Sequence, residues 1–167
     1  MNGAILGMGQ SIKNIQFDLC QQQDNNNGIQ QLFKRIGVQQ KFDLIFANPP
    51  RITVSPLNNE SSLDISIYDY KEQMLESCFR FAQQYLNHET KKNRKGKFLL
   101  IYSDISENIG IQQKGKIEEL CIKFQLVITS QESMKLISDK QLILKKNDPL
   151  FDIKCKSNVI LYEINRI

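Results

Sequence analysis

Two consecutive prolines, Pro49 and Pro50, end the run Lys41-Phe42-Asp43-Leu44-Ile45-Phe46-Ala47-Asn48, and no other segment constrains the fold as strongly. Leu44, Ile45, Phe46 and Ala47 form the short continuous apolar stretch typical of a buried parallel-sheet strand, with Lys41 and Asp43 at its start. Proline has no N–H to give to a ladder, so the strand must stop at Asn48. An amide is thereby fixed at the carboxyl end of a strand, where open α/β sheets bind their ligands.

The segments that follow alternate between helix and strand. Residues 51–65 read as a loop containing Pro56, Asn58, Asn59, Ser61 and Asp64. From about Tyr68, the residues Met74, Leu75, Cys78, Phe79, Ala82 and Leu86 recur at three- and four-residue spacing, which predicts an amphipathic helix. Gly96 leads into a second buried strand over residues 98–103, ending at Asp104. A further helix is expected to begin near residues 109–112, with Ile117, Leu120, Cys121 and Phe124 on one face, followed by a strand over 125–129. Residues 130–158 are less regular, and residues 159–164 close the chain as a strand. If the first two strands are parallel, Asp104 lies at the same sheet end as Asn48, where it caps the next helix or lines a cleft.

Asn48-Pro49-Pro50 resembles the Asn/Asp-Pro-Pro-aromatic motif of class I S-adenosylmethionine-dependent methyltransferases that methylate nitrogen. These include adenine-N6 and release-factor glutamine enzymes with a small methyltransferase domain. The resemblance implies an α/β, Rossmann-like sheet, mostly parallel with an antiparallel strand pair at its carboxyl-terminal end. It further implies S-adenosyl-L-methionine as cofactor and a planar nitrogen as acceptor. Asn48 and the Pro49 carbonyl would orient that acceptor, with Pro50 completing the catalytic motif. Catalysis of this kind works by positioning more than by a strong base.

Two features depart from the family pattern. Arg51 stands where the family has an aromatic ring. Its planar guanidinium can stack on a target group or pair with phosphate or carboxylate, so Arg51 is assigned to substrate binding. Asp64, in the loop after the motif, either starts a turn or contacts a substrate donor. The second departure lies upstream: 47 residues precede Asn48, whereas a single βαβ unit takes about 30 and the family places three strands there. Gly3, Gly7 and Gly9 belong either to a flexible terminus, residues 1–14, or to a cofactor loop in a shortened sheet.

Ile15, Phe17 and Leu19 alternate with Asn14, Gln16 and Asp18 and align with the family's third strand. Asp18 then matches the polar residue that contacts the cofactor, or it simply initiates a turn. The resemblance spans residues 15–167 of a single domain, 1–167, that lacks the amino-terminal cofactor-binding half. In the family sheet, ordered 3-2-1-4-5-7-6, that loss leaves the motif strand with an exposed apolar edge. Three explanations stand: a piece of a longer enzyme, a partner chain supplying the missing strands, or a third strand that closes on the motif strand.

Composition narrows the remaining classes. No segment approaches the roughly 18 to 20 apolar residues of a membrane span, and no signal-peptide pattern is present, so an intracellular protein, cytoplasmic or nuclear, without a membrane partner is expected. The four cysteines are scattered without CxxC spacing, which predicts free thiols and no metal site. His88 is the single histidine. The net charge is +4, and Lys91-Lys92-Asn93-Arg94-Lys95 reads as a solvated loop or as a phosphate contact for nucleic acid. The expected partners are therefore a nucleic-acid or protein substrate. The expected activity is N-methyl transfer; the alternative is a non-catalytic remnant serving as a structural or regulatory subunit.

Overall fold

The computed structural model describes residues 19–20, 26–37, 41–50, 69–88, 95–136 and 151–167. Its elements are α1 (Asn26–Ile36), β1 (Leu44–Ala47), α2 (Gln73–Tyr85), β2 (Lys97–Ser103), α3 (Ile105–Asn108), α4 (Lys116–Lys123), β3 (Leu126–Lys135), α5 (Phe151–Lys156) and β4 (Asn158–Arg166). The architecture is α/β around a mixed four-stranded sheet ordered β1-β2-β4-β3. It is compatible with a Rossmann-like sheet without being specific to one.

β1 and β2 are parallel, whereas β4 inserts between β2 and β3 and runs antiparallel to both. The expected antiparallel pair at the carboxyl-terminal end is therefore present. "Mostly parallel" does not hold for the described pairings, because the insertion of β4 makes two of the three antiparallel. β1, β2 and β3 nevertheless share one direction.

Period-two alternation sorts the sheet residues onto two faces. On one face, Phe98, Leu100 and Tyr102 of β2 lie beside Ile164, Tyr162 and Ile160 of β4, and Ile45 and Ala47 of β1 lie beside Phe98 and Leu100. Leu75, Cys78, Phe79, Ala82 and Leu86 of the α2 segment pack on this face, together with Ile117, Leu120 and Cys121 of α4. Phe79 meets Phe98 edge-on at 5.5 Å and lies 6.4 Å from Phe124. A second cluster joins Ile29 and Phe33 of α1 to Tyr85, Phe42 and Phe81, so α1 also sits on the α2 side.

The sheet opens on a tight backbone crossing. Asn87 N–H donates to Phe42 C=O at 2.8 Å, and Gly96 N–H donates to Asn87 C=O at 3.0 Å. A Cβ on Gly96 would lie 2.9 Å from the Asn87 nitrogen and oxygen and from the Phe42 oxygen, all backbone atoms that cannot step aside. Gly96→Ala is therefore expected to destabilise the fold by about 1–3 kcal/mol, read as a lower urea midpoint at an unchanged slope.

Several expected boundaries are corrected. The helix expected from residues 109–112 begins at Lys116, because Gly115 at φ 81° breaks the chain's direction just before it. The short helices α3 and α5 were not expected. β3 runs on to Lys135 through a bulge between Ile128 and Ser130, held by its long pairing with β4. The alignment of residues 14–18 with a strand and the reading of residues 1–14 lie outside the described residues.

Candidate functional site

β1 ends as the prolines require, and the chain leaves the sheet at Asn48. Asn48 is exposed, Pro49 is buried and Pro50 is half-buried. A buried proline directly after the amide fixes the backbone beneath it. The Asn48 side chain thus stands in solvent on a rigid base at the carboxyl end of β1. Because β1 and β2 are parallel, the ends of both strands lie on the same side of the sheet. Arg51, Asp64 and Asp18 lie outside the described residues.

A hydrogen-bonded chain closes the α2 side at this end. Lys116 Nζ contacts Glu72 Oε2 at 2.9 Å, Gln112 Nε2 donates to Glu72 Oε1 at 3.1 Å, and the Tyr102 hydroxyl lies 2.8 Å from Gln112 Oε1 and 3.0 Å from Glu107 Oε1. Burial pushes both Tyr102 and Glu107 above their ordinary values. Lys71 and Glu72 sit at φ 56° and 59°, a left-handed pair that costs about 1–3 kcal/mol per residue. The strain is held by Asp69 before it and by the Glu72–Lys116 ion pair within it.

Asp69 is 4% exposed, and its two oxygens accept from the N–H groups of Met74 and Leu75, each at 2.8 Å. It thereby satisfies orphan donors at the start of α2. Burial raises its pKa, opposed by those N–H bonds and helped by the nearby Glu72 charge. A carboxyl whose pKa is higher folded than unfolded adds stability below the unfolded value. That contribution is lost as pH rises through the folded value. Asp69→Asn is expected to remove this fall in urea midpoint just above the ordinary aspartate pKa, and to cost about 1–3 kcal/mol for the backbone donor it strands.

Asp104 makes no side-chain cap to α3. Its carboxylate accepts from Asn158 N–H at 2.6 Å and from Asn158 Nδ2 at 2.9 Å, tying the end of β2 to the start of β4. The competing donor lies 54 residues away, which local pattern cannot reveal.

All four cysteines are free thiols, and burial lifts Cys78 to about 12 and Cys121 to about 11. His88 Nε2 lies 2.8 Å from the Ile167 carbonyl, at the opposite end of the sheet from Asn48. Among the described residues, no group of three or more His, Cys, Asp and Glu side chains could hold a metal ion, and no helix is long and apolar enough to cross a membrane.

The carboxylates described at this end are already engaged within the chain. A ribose diol needs a carboxylate with acceptor capacity to spare. Asp69, Glu72, Asp104 and Glu107 are each committed to partners inside the chain. Asn48, by contrast, stands exposed at this end.

The prolines place the end of β1 at Asn48, whereas the Asp69–Glu72–Gln112–Tyr102–Glu107 chain was missed in the sequence. The one local signal was Asp69 just ahead of an apolar helical pattern. Compared with family models, curated proteins and solved structures, the chain matches none.

Proposed function

We propose that the chain is the acceptor-binding half of an S-adenosylmethionine-dependent N-methyltransferase acting on the planar nitrogen of a nucleic-acid base or a protein glutamine. The observation that carries this reading is the address of Asn48-Pro49, at the carboxyl end of the outer strand of a sheet ordered β1-β2-β4-β3 with β4 reversed. The resembled family orders its strands four, five, seven and six in this way, with the motif after strand four. The position of α1 on the α2 side adds support, since the helix entering the motif strand then lies with the helices that follow it.

The chemistry assigned to this chain is orientation. Asn48 Oδ1 and the Pro49 carbonyl accept hydrogen bonds from the acceptor's N–H groups and turn its nitrogen toward the methyl donor. A neutral amide suits this task, because both an adenine amino edge and a glutamine amide pair a donor with an acceptor. Arg51 would lie against the acceptor or a neighbouring phosphate. The methyl group itself comes from the cofactor, whose cradle must come from outside the described residues.

That last point favours a second reading, a non-catalytic subunit beside an intact methyltransferase. The commitment of every carboxylate named above to an internal partner supports it. The test is to isolate the protein with whatever it carries from its own cells and supply S-adenosylmethionine with a labelled methyl group. An adenine-containing oligonucleotide and a glutamine peptide serve as acceptors. Label on nitrogen of either acceptor supports the enzyme. Its absence from both, with the chain folded and assembled, supports the subunit.

A further inference from the structure

Three links join two carboxyl groups at the carboxyl end of β2. Glu72 Oε1 meets Gln112 Nε2 at 3.1 Å, Gln112 Oε1 meets the Tyr102 hydroxyl at 2.8 Å, and that hydroxyl meets Glu107 Oε1 at 3.0 Å. Tyr102 and Gln112 are 8% and 6% exposed, so a contact between two acceptors here would be costly.

Counting hydrogens shows what these links require. A phenol carries one hydrogen, an ionised carboxylate none, and an amide donates only from its nitrogen. With both carboxylates ionised, Gln112 donates to Glu72 and accepts the Tyr102 hydrogen. The Tyr102 oxygen then faces Glu107 with no hydrogen between them. Turning the Gln112 amide over lets Tyr102 donate to Glu107, but sets the amide oxygen against Glu72. Either way, the three links need one hydrogen more than the ionised groups supply.

The surroundings decide which end takes it. Glu72 Oε2 lies 2.9 Å from the Lys116 ammonium, which favours negative charge at that end. At the other end, burial raises the Glu107 pKa, and the charges of Asp104 just before α3 and Glu118 on α4 add to the rise. Lys114, in the loop between those helices, and the Tyr102 contact oppose it. Tyr162 of β4 faces the same group as a neutral phenol, and Ser157, which follows α5, meets α3 at Asn108 without a charge.

We propose that Glu72 and Glu107 share one proton through Gln112 and Tyr102, carried on Glu107, and that its loss to solvent unlatches β2 from the turn ahead of α2. A charged acceptor outcompetes a neutral one, so an ionised Glu107 takes the Tyr102 hydrogen. Gln112 is then left facing an oxygen and lets go. The turn it ties down is the left-handed pair Lys71 and Glu72, at φ 56° and 59°, which keeps its Lys116 contact but loses its tie to β2. That turn opens α2 at the Asn48 end of the sheet, so pH sets the rigidity of that end. The latch is complete below the ordinary glutamate range and is lost as pH rises through the raised value of Glu107. It stands on the hydrogen bonds and not on the methyltransferase reading.

The test follows the Glu107 carboxyl carbon and the Gln112 side-chain amide by NMR across pH, in the isotope-labelled full chain. Glu107→Gln identifies the Glu107 signal, which disappears from the spectrum. Site-specific signals are needed because burial also raises the Asp69 pKa, and a urea midpoint would mix the two. The expected result is a Glu107 midpoint above the ordinary glutamate range, with the Gln112 amide signals moving at that same midpoint. Gln112→Met should lower the Glu107 midpoint by about one pH unit, because the Tyr102 hydrogen is then free for the carboxylate. Burial alone predicts no fall, since the substitution makes the surroundings less polar. In Glu107→Gln the introduced amide donates to Tyr102 at every pH, so the Gln112 signals should stop titrating. A Glu107 midpoint in the ordinary range, Gln112 signals that do not follow it, or an unlowered midpoint in Gln112→Met overturns the proposal. So does titration of the Gln112 signals that persists in Glu107→Gln, and this measurement decides alone should Gln112→Met fail to fold.

Discussion

Asn48→Ala is expected to lower methyl transfer by the assembled protein about 100- to 1,000-fold, the usual cost of removing one preorganised polar group from a reacting centre. The loss should fall on kcat more than on KM, because the amide orients the acceptor nitrogen and adds little to its overall binding. The side chain is exposed and Pro49 beneath it is untouched, so the stability should not change by more than about 0.5 kcal/mol. Asn48→Asp keeps an acceptor oxygen and loses the amide donor, so it should retain more transfer than the alanine variant. Equal rates for wild type and alanine variant would remove Asn48 from the mechanism.

Phe79→Ala is expected to cost about 3–5 kcal/mol, a large share of the 5–15 kcal/mol that a domain of this kind possesses. Phe79 is fully buried between the sheet and α4, and its ring touches both Phe98 and Phe124. Removing the ring leaves a cavity lined by Phe98 and Phe124, whose backbones are held in β2 and at the end of α4. The variant should unfold at a much lower urea concentration, and S-adenosylmethionine should not restore it, since the change lies in the core beneath the sheet. Phe46→Ala makes a useful contrast. It removes a ring of the same size from an exposed position on β1 and should leave the isolated chain's stability almost unchanged.

The parts of the fold that could be read from sequence are those whose signal is local. β1 declared itself by four apolar residues stopped by Pro49 and Pro50, and α2 by the three- and four-residue spacing from Met74 to Leu86. β2 and the middle of β4 are apolar runs without a competing reading. α3 and α5 span four and six residues, too few for a helical period to show. The second half of β3 carries Ser130, Gln131, Glu132 and Ser133, which have no apolar alternation and are held by pairing with β4. The strand order depends on where β4 inserts, which is a matter of long-range pairing.

The candidate site divides in the same way. Asn48 and Pro49 were legible because proline chemistry acts on adjacent residues. The commitments of Asp104 to Asn158, Glu72 to Lys116 and Tyr102 to Gln112 join distant segments, and each turned a residue available in the sequence into one already engaged in the fold. The exposure of Leu44 and Phe46 was anticipated only as an edge. The register with Lys97 and Leu99 makes it a face as well.

The most direct test of the central claim is a calorimetric titration of S-adenosylmethionine into the folded protein, isolated together with the polypeptides it carries. The account predicts saturable binding at one site per chain. A flat titration on folded, assembled protein would contradict it, leaving Asn48-Pro49-Pro50 as the end of a strand and nothing more.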